Sequence, residues 1–83
     1  MITVGQLRAS RALLGIDQRT LAEAAGLSLP TIQRMEGSEG VIRGNVDSLM
    51  KLVAALDALG IVLISDNTAS EGGRGVRLKR GTA

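Results

Sequence analysis

The segment from Gln18 to Gly37, QRTLAEAAGLSLPTIQRMEG, constrains this chain most. Gly26 breaks it in two, and each half is too short to be a stable helix unless it packs against something. Gln18–Ala25 puts Leu21, Ala22 and Ala25 on one face, after a cap candidate at Asp17. The second half opens on Ser28, a good N-cap. Pro30 follows in the first turn, where its missing N–H costs nothing. Helix 3 therefore spans about 29–36, with Ile32 and Met35 pointing inward. Two short helices joined at a left-handed glycine form a helix-turn-helix arrangement.

Position by position, the unit meets that arrangement's demands. Ala22 is small where the second helix must cross closely, and Gly26 accepts the left-handed backbone. Leu21, Leu27, Ile32 and Met35 supply the apolar weld. Flanking elements follow from the same rules. Thr3 caps a helix over 4–14 that stops at Gly15, and Asn45 caps a helix over 46–59 that stops at Gly60. In the latter, Val46, Leu49, Leu52, Val53, Leu56 and Leu59 read as one wide apolar stripe. Ile61–Ile64 is short and β-branched, and Val76–Lys79 alternates apolar and basic, so the two are expected to pair as a β-hairpin. Residues 81–83 are expected to fray.

With 83 residues, the chain has room for one small domain. It contains no Phe, Tyr or Trp, so the core must be aliphatic, and single-stranded nucleic acid would find no stacking platform. It contains no Cys and no His. That excludes disulfides, the usual zinc sites and histidine acid–base chemistry. No nucleophile–base or metal constellation is present, which argues against an enzyme, and no cofactor or metal is expected. No signal-peptide pattern and no apolar run long enough for a bilayer is seen, so a cytoplasmic protein away from membranes is the expectation. The net charge of +2 is uneven. Residues 72–83 carry Arg74, Arg77, Lys79 and Arg80 without an acid, or +4, leaving 2 − 4 = −2 for residues 1–71. Those cations read either as the wet face of an edge strand or as a grip on phosphates.

The stretches QLRASRALLGIDQRTLAEAAGLSLPTIQRMEG and LMKLVAALDALGI together resemble the Cro/C1-type (Xre-like) helix-turn-helix family of phage repressors and small bacterial regulators. The resemblance covers about 4–60. It implies a mainly α, four-helix, lambda-repressor-like DNA-binding domain over 1–60. The hairpin over 61–80 stands where the family has a fifth helix. Arg11 and Glu36 occupy the family's structural ion-pair positions, and Gln18 matches its usual backbone-contacting glutamine.

On that reading Leu29, Thr31, Gln33 and Arg34 contact bases. Arg34 suits a guanine, and Leu29 suits a thymine methyl where relatives more often carry a polar residue. Gln18, Arg19, Ser28 and Arg43 contact phosphates, with Arg8 a weaker candidate. A lone hairpin is marginal, so a homodimer is expected. Its interface would draw on Ala54, Ala58, Leu59, Ile61, Val62, Leu63, Ile64, Val76 and Leu78. Such a dimer would set two recognition helices about 34 Å apart on a palindromic site. The implied function is a sequence-specific regulator of transcription, with its own promoter among the candidate targets, acting by occupancy or through RNA polymerase. The competing reading is an antitoxin-like DNA-binding protein whose C-terminal segment holds a partner protein.

Overall fold

The computed structural model describes residues 2–66 and 72–79, and Arg80 and the expected frayed tail lie outside them. Within the described residues the chain is mainly α. Four helices, α1 (Val4–Leu14), α2 (Gln18–Ala25), α3 (Leu29–Glu36) and α4 (Val46–Ala58), precede an antiparallel hairpin of β1 (Ile61–Ile64) and β2 (Gly75–Leu78). No helix among them is long and apolar enough to cross a membrane.

The helix starts follow local chemistry. Asp17, Ser28 and Asn45 each accept a backbone N–H three residues on, from Thr20, Thr31 and Ser48. Thr3 forms a full capping box with Gln6. Gly15 and Gly26 end α1 and α2 at φ of +67° and +66°, the left-handed region that an L side chain enters only at a cost.

The core is aliphatic. Leu7 of α1, Leu21 of α2, Ile32 of α3, Leu52 and Leu56 of α4 and Ile61 of β1 are fully or almost fully buried and pack in one cluster. Each contributes about 1.5–3 kcal/mol by burial. These are the side chains that bind five short elements, none stable alone, into one unit.

Small boundary shifts separate sequence from structure. Helix α4 ends at Ala58 with Leu59 as its cap, and β2 runs over 75–78 rather than 76–79. Lys79 nonetheless continues the ladder, its N–H donating to the Gly60 carbonyl at 2.7 Å.

Two sequence expectations need correction. Val46 is 71% exposed and Leu59 36%, so neither belongs to the inward stripe of α4. The stripe narrows because Leu49, Leu52 and Leu56 set the inward direction, and Val46 and Leu59 fall at or past its two edges. The hairpin is also less exposed than expected. Ile61 pairs with Leu78 and Leu63 with Val76, so all four share one face. Ile61 is buried inside the protomer, and Leu63 and Val76 pack against the core. Ile61 therefore cannot serve a subunit interface. Ile64, expected there too, is half-buried.

Gln6 fastens the hairpin. Its carbonyl oxygen accepts the Thr3 N–H at 3.0 Å, and its amide nitrogen lies 3.0 Å from both the Ile64 and Gly75 carbonyls. The residue is buried, yet every polar group is used. Its neighbours also hold the loop after α3. The Val4 N–H donates to Gly40 and the Ile42 N–H to Ile2, with a bridge between Thr3 and Val41.

Candidate nucleic-acid interface

Helix α3 is fixed from behind. Ile32 and Met35 are buried, and Glu36 at its end is only 4% exposed. Arg11 of α1 holds Glu36 with two hydrogen bonds, Nε to Oε2 at 2.5 Å and Nη2 to Oε1 at 2.8 Å. A second arginine works at the same end: Arg8 Nη2 donates to the Glu36 backbone carbonyl at 2.7 Å, closing an otherwise open helix terminus. Arg8 is thus committed to α3. Its spacing from Arg11, three residues along one helix face, was the available signal.

The charges at this joint are mutually stabilised. Burial pushes the Glu36 carboxyl up, but the hydrogen bonds and charge of Arg11 outweigh it, helped by a Gln18 hydrogen bond and by the Arg8 charge. The net shift is downward. The Arg11 guanidinium is raised, chiefly by its hydrogen bonds to Glu36. Gln18, expected on a phosphate, is half-buried, and its side chain is engaged at Glu36.

What α3 leaves outward is a short polar surface. Pro30, Gln33 and Arg34 are exposed, while Leu29 and Thr31 are half-buried at its borders. Leu29 is therefore not the fully exposed leucine its sequence context suggests. Ser28, Thr31 and Arg34 form a chain of contacts along the helix. Ser28 Oγ lies 2.8 Å from Thr31 Oγ1, and Arg34 Nη2 lies 3.4 Å from the same oxygen. The Ser28 hydroxyl also accepts the Thr31 N–H, so the expected cap is present.

Beside this surface the start of α4 completes a groove. It is lined by Thr31, Arg34 and Met35 from α3 and by Arg43, Gly44, Asn45 and Ser48 from the following loop and helix. Arg34 and Arg43 bring two cations to it, and no acid lines it. Chemically, the groove suits an oxyanion, and the outward edge of α3 suits hydrogen-bonding bases. Asn45 and Ser48 joined this site only through the packing of α4, and their sequence signal was a capping pattern alone. Arg19 is exposed on α2, apart from these lining residues.

The C-terminal cations divide. Arg74 pairs with Asp66 at 3.3 Å and Lys79 with Asp57 at 2.8 Å, whereas Arg77 is exposed on β2. In comparisons with known proteins, no family model and no curated protein matches the chain.

Proposed function

We propose that this chain is a helix-turn-helix regulator that binds double-stranded DNA in a sequence-specific way and works as a homodimer. The observation that carries the reading is the joint polar surface of α3 and the α4 start. Arg34 and Arg43 flank one acid-free groove, beside a helix whose inner face is locked into the core. A rigid, exposed helix edge with a neighbouring cationic anion site has the two parts that readout needs, base contact and phosphate positioning.

In this reading Arg34 is the main base reader, and Thr31 and Gln33 assist it. Leu29, at the border, offers its methyls to a thymine. Ser28, Arg19 and Arg43 hold phosphates. Gln18, in the first turn of α2, is assigned the same purpose.

The test is recovery of genomic fragments by the purified protein, followed by binding across a salt series. A recovered palindrome supports the reading. Arg34→Ala should then lose about 1–3 kcal/mol of discrimination at one base position while general binding persists. Arg43→Ala should weaken all sequences alike and reduce the salt slope by about one. Fragments without a common sequence, or equal loss of specific and general binding in Arg34→Ala, would overturn it.

A further inference from the structure

The two most exposed large apolar residues among those described, Val46 at 71% and Met50 at 66%, both lie on α4. With Leu49, Val53 and Ala54 they line a groove built from apolar side chains alone. Val46, Met50 and Ala54 stand at i, i+4 and i+8, so they stack along one line of the helix. The opposite side of α4 is already spent on α2 and β1.

We infer that this face of α4 binds the same face of a second copy, with the two helices antiparallel about a two-fold axis at Met50. This rests on the homodimer part of the proposed function but moves the interface from the hairpin to the helix.

Charge complementarity selects a second copy as the occupant. Asp47 and Lys51 lie on one flank of the stripe, exposed and paired at 3.3 Å. A two-fold axis brings that flank against its own copy. With Met50 opposite Met50, Val46 faces Ala54, and residue 51 of the partner falls level with residue 49. Asp47 is then two residues from the partner's lysine along the axis, about 3 Å at the helical rise. Each acid thus meets a base across the axis, and these two contacts outnumber the one close like-charge pair, Lys51 with the partner's Lys51 at the same offset. Phosphate would find only Lys51 on this stretch, and its neighbour Asp47 repels it. The hairpin competes poorly, since its most exposed apolar residues, Val62 and Leu78, are only 36% and 40% exposed.

The chain contains no cysteine, so a single introduced thiol reports its own neighbourhood. Met50→Cys should oxidise to a disulfide-linked dimer, whereas Val62→Cys on the hairpin should not. By sedimentation without DNA, the wild type should be dimeric. Met50→Glu should raise the dissociation constant about tenfold or more with helical content retained. Asp47→Lys should weaken association, and Asp47→Lys with Lys51→Asp should restore it. A wild type that stays monomeric at every concentration would overturn the inference. So would a dimer indifferent to Met50→Glu, cross-linking through Val62→Cys but not Met50→Cys, or association only with a different protein. Because DNA is absent throughout, failure here leaves the Arg34 readout standing, and failure of that readout leaves this interface standing.

Discussion

Arg11 and Glu36 meet through two parallel hydrogen bonds, joining the last turn of α1 to the last residue of α3. The carboxylate side chain is 6% exposed and the guanidinium side chain 23%. Removing one partner strands a largely buried charge, and the Arg11 N–H groups also support the Ile16 carbonyl. Arg11→Ala or Glu36→Ala should each cost about 3 kcal/mol, the lower end of the range for buried pairs because Arg11 keeps some solvent. For a domain of this size the Tm should drop by more than about 10 °C. The double replacement Arg11→Met with Glu36→Leu should recover most of that loss. Calorimetry of the three variants checks the prediction.

The same pair sets an acid sensitivity. Glu36 titrates below its ordinary value of 4.5 in the folded protein. A carboxyl lowered by folding adds stability that is fully present above its unfolded value and is lost as pH falls through the folded one. Urea midpoints should therefore hold from neutral pH to about 5 and decline below that. In Glu36→Gln the decline should be shallower. It should not vanish, because the Asp17 carboxyl is also lowered, first by its backbone hydrogen bond from Thr20. The raised Arg11 works in the opposite sense, and its contribution persists at every pH below the ordinary arginine range.

Gln6 allows the helix cap and the hairpin to be separated experimentally. Gln6→Leu leaves the Thr3 N–H without its acceptor and frees the Ile64 and Gly75 carbonyls, a loss of about 1–3 kcal/mol. Gln6→Glu keeps an acceptor for Thr3 but has no N–H for the two strand carbonyls. Amide exchange should then accelerate in β1 and β2 while α2 and α3 stay protected. Uniform acceleration across the chain would contradict this division.

At the turn between α2 and α3, Gly26 and Ser28 act by different mechanisms. A Cβ at Gly26 meets nothing within 4 Å, so Gly26→Ala should cost only the left-handed backbone, about 1–2 kcal/mol. Ser28→Ala should cost about 1 kcal/mol through the lost cap. Gly26→Asn should recover part of the first loss, because asparagine tolerates that region better. Denaturant titrations distinguish the three outcomes.

The half-buried Leu29 and Thr31 sit about 200° apart around α3, on opposite borders of its exposed edge. If α3 reads DNA as proposed, Leu29→Ala and Thr31→Ala should alter preference at different base positions. Each should shift it by about 1–3 kcal/mol with little change in general binding. Binding to libraries randomised at each position of the recovered site measures both.

Much of this architecture could be read from residue order. Caps at Thr3, Asp17, Ser28 and Asn45 and stops at Gly15 and Gly26 are local features, settled by hydrogen bonds and dihedrals within a few residues. The same holds for the strand character of Ile61–Ile64 and for the inward positions Leu21, Ile32 and Met35. The Arg11–Glu36 contact was expected only through a family resemblance, and its two-bond geometry came from packing.

Other features depend on which surfaces meet in space, and periodicity carries no record of that. Val46 shares its apolar character with Leu49 yet is exposed, because Leu49, Leu52 and Leu56 took the inward direction. Ile61 looked available to a partner, but strand register turned it into the core. Gln6 and Arg8 are unremarkable as letters, and each gained its role from carbonyls at least 28 positions away. The groove of Thr31, Arg34, Arg43 and Ser48 exists only because the start of α4 lies beside α3. Local order thus established the elements and their inward faces through short-range hydrogen bonding and hydrophobic periodicity. Long-range packing alone chose which polar groups converge and which apolar face is left over, because those choices depend on contacts between elements and not within them.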